Sequence, residues 1–483
     1  MRDKYQSYLV AAGWILIGAL ALTCFRQLSA IERGLLVIGL VGAWRYSLQI
    51  VHVVRNGLYT YRDYPRLLRA VARNGTVHFD RLVIVVADYR IPQQVRTQVW
   101  RSIERATCAL RPDLRVDIIY ASDAQAIPHT NETTHTAKGP PLALHQLTQY
   151  HGKRRALADA LDYARRLGVE QDRTVVALMD GDTSVDPDTL ARVLAVFDAR
   201  PHLGALTTNE RVDVKTDNPW IRNWYRLKFR KRNHYMRSHA LSRRVLTLTG
   251  RFSAYHGDLA FTDDFVARLR RDVVHHWLHG SFDFLMGDDK STCFTVLKAG
   301  RDMLYIHDAY VTTHEETGSA FLPATVGRMV RWYGNMLRNA PRTIALGRHR
   351  MPAFIWYCHV DQLIAYWTTL IGPLVGLTLL FKFGPAPFLG YLGFVIVTRT
   401  LQLLILVWQG HRMTAGDLLL TVYDQWFGSL LKIYCTFYPH LQSFALRHGH
   451  RGGRSSVWKE EVSYSLVTLS VAAEAAIIVL MLQ

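Results

Sequence analysis

Residues 175–182 read VVALMDGD. An unbroken apolar run of strand length, closing on two acids around a glycine, has the pattern of a strand buried on both faces of a parallel sheet. In such sheets ligands gather at the carboxyl ends of the strands. Upstream, LVIVVA (82–87) and VDIIYA (116–121) are runs of the same kind, and amphipathic stretches near 92–110 and 153–167 follow them. Strands alternating with helices predict a largely parallel sheet covered on both faces. The triplet Asp180-Gly181-Asp182 offers carboxylate oxygens to a hard divalent cation that also holds a diphosphate, and Gly181 lets the backbone turn sharply. A DxD triplet alone is more often a solvated turn, and only its place at a strand end favours the metal reading.

Two further clusters lie downstream. Gly287-Asp288-Asp289-Lys290 precedes STCFTVLKAG, a helix start. Adjacent acids there can simply complement the helix dipole, whereas in a pocket a carboxylate beside a sugar hydroxyl can take its proton. Arg328-Met329-Val330-Arg331-Trp332 sits in an amphipathic stretch that leads into an apolar run. Arg331 suits a diphosphate and Trp332 a sugar ring, and the competing reading is an interfacial Trp among basic residues.

The remainder of the chain is unlike this middle. Its 483 residues carry 58 Lys and Arg against 39 Asp and Glu, a formal net charge of +19, with 49% hydrophobic residues. The mean hydropathy of +0.01 averages apolar ends with a charged centre, which argues against a purely soluble enzyme, and 11% aromatics exclude low-complexity disorder. Cys24, Cys108, Cys293, Cys358 and Cys435 form no CxxC pair, so neither a disulfide framework nor a cysteine zinc site is expected.

Residues 8–25 (YLVAAGWILIGALALTCF) carry no charge, and as a helix they extend about 27 Å, close to the hydrocarbon thickness of a bilayer. A cleaved signal peptide fits less well, because a second run follows at about 35–54. That run contains Arg45, which either faces protein or a polar channel, or snorkels to the interface. Residues 353–381, 388–408 and 462–482 predict three more spans, making five. Segment 417–437, interrupted by Asp417, Asp424 and Lys432, fits an interfacial amphipathic helix. Arginines at 55, 62, 66, 69 and 73, and basic residues at 447, 451, 454 and 459, place the middle domain on the cytoplasmic side. The basic, aromatic run 222–244 (RNWYRLKFRKRNHYMRSHALSRR) fits nucleic acid, anionic headgroups, or an anionic donor and polyanionic product. Proximity to the spans favours headgroups, and no nucleic-acid partner is expected.

The three clusters, in this order, resemble the membrane-embedded processive family 2 glycosyltransferases, which include cellulose, chitin and hyaluronan synthases. The strings AWRYS (43–47), LTTNE (206–210), RVLTLTGRFSAY (244–255), FLMGDDKST (284–292) and RWYGNMLRN (331–339) are similar to those of the catalytic glycosyltransferases of bacterial alginate synthesis. The resemblance implies an α/β GT-A-like glycosyltransferase domain (56–350) inserted between transmembrane helices. Two helices would precede it (1–55), and an α-helical membrane region (351–483) with interfacial amphipathic helices, including 417–437, would follow it. It implies a processive, inverting enzyme of the bacterial inner membrane that joins GDP-mannuronic acid into β-1,4-linked polymannuronate and feeds the chain through its own channel. Asp289 would be the base, with Asp288 beside it and touching acceptor. Asp180 and Asp182 would hold Mg2+ or Mn2+, and Lys153, Arg154, Asp180, Arg328 and Arg331 would bind the donor. Trp332 and Arg251 would bind acceptor, and the uronate carboxylate is left open among Arg251, His256, Lys290 and Arg328. The family's gating loop corresponds to 438–461, where Phe444 and Arg447 have a comparable spacing but the family's Trp is missing. A separate cyclic di-GMP-binding membrane subunit is expected as partner, besides membrane lipid. The competing readings are a UDP-sugar-using polysaccharide synthase and a non-catalytic transporter or scaffold.

Overall fold

The computed structural model describes residues 2–22, 32–123, 139–282, 287–439 and 457–481. Among the described residues ten strands form within the middle of the chain: β1 (Arg81–Asp88), β2 (Arg115–Ser122), β3 (Leu142–Thr148), β4 (Thr174–Asp180), β5 (Thr183–Val185), β6 (Leu203–Lys215), β7 (Phe252–His256), β8 (Val274–His276), β9 (Gly280–Phe282) and β10 (Asp302–Glu316). Eight of them make one sheet in the order β3-β2-β1-β4-β7-β6-β10-β5. All eight residues of β1 are buried, as a strand covered on both faces requires. Part of the cover comes from the helix Gln93–Thr107, whose Val95, Val99, Trp100 and Ile103 fall on one helical face and are buried. The helix Lys153–Arg166 adds Leu157, Ala160, Leu161 and Ala164. Full burial of a large apolar side chain contributes roughly 1.5–3 kcal/mol.

The β3-β2-β1-β4 half is parallel, as the apolar runs predict. The other half departs from the expectation, because β7 runs antiparallel between β4 and β6. Strand direction leaves no trace in apolar periodicity, and a five-residue strand reached through a turn is free to reverse. β6 and β10 pair in parallel to their ends, Glu316 opposite Lys215. This mixed sheet with flanking helices is a GT-A-like α/β domain.

Four described helices are long and apolar enough to cross a membrane: Lys4–Leu22, Ala353–Phe383, Pro385–Trp408 and Val457–Leu480. The helix Glu32–Leu58 is not one of the four, so a fifth crossing there rests on the sequence pattern. Its Arg45 pairs with Asp361, which selects the protein-facing reading over snorkelling. The helix Gly416–Phe437 also turns its acids inward, since Asp417 and Asp424 are both buried. Asp424 accepts from the indole Nε1 of Trp224 at 2.8 Å and lies 3.0 Å from the ammonium of Lys228. Trp224 and Lys228 belong to the helix Pro219–Ala240, so part of the basic run packs into the protein and is not spread on a surface.

Candidate active site

β4 ends at Asp180 beside the end of β1. Gly181 donates its N–H to the carbonyl of Ala87 at 2.9 Å, Asp180 donates to the carbonyl of Arg251 at 3.2 Å, and the carbonyl of Asp182 accepts from His314 at 2.9 Å. Gly181 is required here for a different reason from the sharp turn expected of it. A Cβ would stand 2.8 Å from the Cα of Asp88 and 2.9 Å from the carbonyl of Ala87, and this backbone at the end of β1 cannot yield. Three neighbouring chain segments thus fix the direction in which both carboxylates leave the sheet.

Lys153, at the start of its helix, joins the first acidic cluster to the second. Its ammonium lies 2.5 Å from Asp180 Oδ1 and 2.8 Å from Asp288 Oδ2. Gly250 leaves room for this bridge, because a Cβ there would stand 3.0 Å from Lys153 Nζ and 3.5 Å from Asp288 Oδ2. Arg154 points elsewhere. It donates to the carbonyls of Arg268, Leu269 and Gly287 and to Ser291 Oγ, so it braces the loop that carries the second cluster. Gly287 caps the helix Asp288–Lys298 in the left-handed region at φ 89°, open to glycine without strain. Ser291 in turn donates to Asp272, which Arg342 of the helix Phe321–Ala345 holds at 2.7 Å.

The four acids differ electrostatically. Burial pushes Asp288 up, but Lys153 and then Arg154 outweigh it and hold the carboxyl below the usual range. Asp289 makes no ion pair among the described residues, and burial together with the adjacent Asp288 raises it. Burial also raises Asp180 against the pull of Lys153. Asp182 rises to about 6, through burial first and then Asp180 and Glu315, and it too lacks an ion pair among the described residues. Asp182, without an ion pair and raised by Asp180 and Glu315, and Asp180, shared with Lys153, are two hard oxygen donors that fit a divalent cation of the magnesium or manganese type.

A basic row faces these acids. Arg251 lies 3.3 Å from Glu210 and 3.6 Å from Glu315, and Arg328 pairs with Glu315. Arg331 makes no hydrogen bond or ion pair among the described residues, and burial and Arg328 lower its pKa, while Glu315 and Asp180 act the other way. It is therefore a guanidinium within electrostatic reach of Asp180 that has no protein partner there. Trp332 stacks on Trp224 with ring centroids 5.6 Å apart and planes at 5°. His256 pairs with Asp258 and stacks edge-on with Phe79, outside this network. Lys290 donates to the carbonyl of Leu246. Phe444 and Arg447 lie outside the described residues.

Glu210 and Glu315 were not singled out from the sequence. Their signals were present as the last residue of LTTNE and as the acidic end of the long strand β10, but neither shows that it would meet Arg251. Among the described residues a cavity of about 480 Å³, lined by Arg66, Arg200 and Asp302 among others, contains none of the four acids.

Residues 66–335 match the family model described as "Glycosyltransferase like family 2". The chain is 34% identical over 460 residues to a protein of Pseudomonas syringae pv. tomato (strain ATCC BAA-871 / DC3000) named glycosyltransferase alg8, covering 92% of each chain. It is 32% identical over 415 residues to the glycosyltransferase alg8 of Azotobacter vinelandii, covering 85% of this chain and 83% of that one. Among solved structures it is similar to a mannosyltransferase of Pyrobaculum calidifontis in complex with GDP-Man and Mn2+, at 16% identity. That match covers 90% of this chain and 99% of the other with a TM-score of 0.40.

Proposed function

The chain belongs to the family 2 glycosyltransferases, and from that premise we propose that it is an alginate-type polysaccharide synthase, a processive, inverting polymerase that joins mannuronate from GDP-mannuronic acid into a β-1,4 chain. The observation that carries the reading is Lys153, which holds Asp180 and Asp288 within 2.5 and 2.8 Å and so makes one site of clusters distant in sequence. The two relatives named glycosyltransferase alg8 support the polymer class.

The residues divide the work by charge. In a single displacement the acceptor oxygen bonds to the anomeric carbon as the bond to the diphosphate breaks. Asp289, unpaired and raised, takes the hydroxyl proton. Asp288, tied to Lys153, keeps its charge and fixes the loop that presents Asp289. Arg331 pairs with the diphosphate, and Lys153 follows it as that group gains charge. Arg328 and Arg251 exchange part of their contact with Glu315 for donor or acceptor oxygens, beside Trp332. Asp180 and Asp182 would hold the divalent cation, which when bound neutralises charge on the departing diphosphate. Arg154 acts as a positioning residue.

The basic flanks of the spans favour the cytoplasmic side of a bacterial inner membrane for this domain. The polymer would leave through the chain's own helices, and a separate cyclic di-GMP-binding membrane subunit would activate it. The test is donor choice. Membranes containing the chain and that subunit receive Mg2+ with either GDP-mannuronate or UDP-sugars. Release of GDP with polymer only from the first is the expected result; turnover of a UDP-sugar instead would move the chain to the hyaluronan, chitin or cellulose type. A non-catalytic transporter or scaffold would release neither nucleotide.

A further inference from the structure

A group of nitrogen and sulfur side chains that the proposed chemistry does not use lies where three helices meet. His52 comes from the helix Glu32–Leu58, His239 from the helix Pro219–Ala240 and Cys358 from the helix Ala353–Phe383. One ligand atom from each lies within 4.8 Å of the others. All three are more than nine-tenths buried, at 6%, 6% and 4% exposed.

A buried imidazole needs partners for its ring nitrogens. Nδ1 of His52 lies 2.9 Å from Ser238 Oγ; with the N–H on that nitrogen, Nε2 carries the lone pair. Nδ1 of His239 is buried and has no hydrogen-bond partner among the described residues. The surrounding rings supply none. Phe354 stands with its centroid 5.4 Å from that of His52 and 6.4 Å from that of His239, and Tyr235 is edge-on to His52 at 4.9 Å but donates its hydroxyl to Gln49. Arg55 stacks 3.7 Å from the ring centroid of Phe354 and interacts electrostatically with Cys358, and a neighbouring cation favours the thiolate.

Two imidazoles and a thiolate make a donor set for a soft or borderline ion, unlike the hard oxygens of Asp180 and Asp182. Bonds of about 2.0–2.3 Å at tetrahedral angles hold zinc ligand atoms roughly 3.3–3.8 Å apart. A contraction of no more than about 1.5 Å therefore closes this cluster on an ion. We infer that His52, His239 and Cys358 form a second metal site, for Zn2+ or Cu+, which clamps the helices on either side of the α/β domain to the helix Pro219–Ala240. Ser238 is its positioning residue, since a ligating histidine is held by a hydrogen bond at its other ring nitrogen. The site is independent of the donor and polymer proposed above.

The experiment uses the full chain without a polyhistidine tag, purified in detergent and offered Zn2+, or Cu+ under a reductant. Elemental analysis is expected to find one tightly held ion per chain, and X-ray absorption on the unmodified protein to find one sulfur and two imidazole nitrogens around it. Competition with a chromophoric chelator should show affinity falling at least about a hundredfold in His239→Gln and in Cys358→Ser, and about tenfold in Ser238→Ala. Stripping the ion should lower the unfolding midpoint of the unmodified protein and leave that of Cys358→Ser unmoved. Asp182→Ala should retain the ion. No tightly held ion of either kind, a coordination shell without sulfur, or affinity unchanged in His239→Gln and Cys358→Ser overturns the inference. An ion lost with Asp182→Ala belongs to the active site and overturns it too. The absorption measurement needs no variant to fold, and every one of these failures leaves the polymerase reading intact.

Discussion

Asp288 and Asp289 are neighbours in sequence, yet their replacement by asparagine should produce opposite failures. Asp289→Asn keeps the shape and removes the proton acceptor. General-base catalysis contributes about 10²–10⁴-fold, so polymer synthesis should drop by that factor, equivalent to roughly 3–5 kcal/mol of activation free energy. The fold should not suffer, because Asp289 makes no ion pair among the described residues and its carboxyl is raised by burial and by Asp288. A carboxyl whose folded pKa exceeds its unfolded value is destabilising when ionised, and this contribution disappears as pH falls. A neutral isostere at pH 7 should therefore leave the unfolding midpoint unchanged or slightly higher. Asp288→Asn instead removes one of two carboxylates from Lys153, whose ammonium lies 2.8 Å from it. Breaking a buried pair costs about 3–5 kcal/mol, and partial exposure at this site places the expected loss near the lower end. The assay pairs GDP release with thermal unfolding of the purified protein. Retention of more than a tenth of wild-type turnover by Asp289→Asn, or an equal loss of stability in both variants, would refute the division of labour between the two acids.

The other expectations concern the first cluster. Asp182→Ala should abolish metal-dependent turnover, and a chelator should silence the unmodified protein until Mg2+ or Mn2+ is restored; a chelator-resistant enzyme would contradict the metal assignment. Because burial, Asp180 and Glu315 raise Asp182 to about 6, metal affinity should weaken as pH falls through that value and strengthen above it, as titration calorimetry between pH 5 and about 8 can measure. Gly181→Ala places a methyl 2.8 and 2.9 Å from backbone atoms of Asp88 and Ala87 and should destabilise the domain by about 1–3 kcal/mol; an unchanged unfolding midpoint would show that the β1–β4 junction is looser than described.

Reading the chain alone succeeds where burial leaves a local signature. β1, β2 and β4 are nearly continuous apolar runs, and the acids at the end of β4 stand out by position. β3 escapes because only its first residue is fully buried, which breaks the run. The reversal of β7 escapes because alternation records which side faces inward and not which way the chain travels. Side-chain partnership is the least legible. Lys153 and Arg154 are consecutive, yet one bridges two acidic clusters and the other braces a loop. The basic run 222–244 has an exposed appearance because its acidic partners lie outside it, Asp424 and Asp417 on a distant helix and Glu210 and Asp302 on strands of the sheet.

The wide spacing of Lys153's two partners also constrains how the enzyme comes into being. A chain growing at about 5–20 residues per second presents the DGD corner several seconds before residue 288 exists, and longer still before the helix that ends at Ala345. During that interval Lys153 can satisfy only Asp180, and Asp272 waits for Arg342. The pocket is thus a late event in biogenesis, closed by the last part of the domain to emerge, and a fragment that stops short of Arg331 is expected to lack a working version of it.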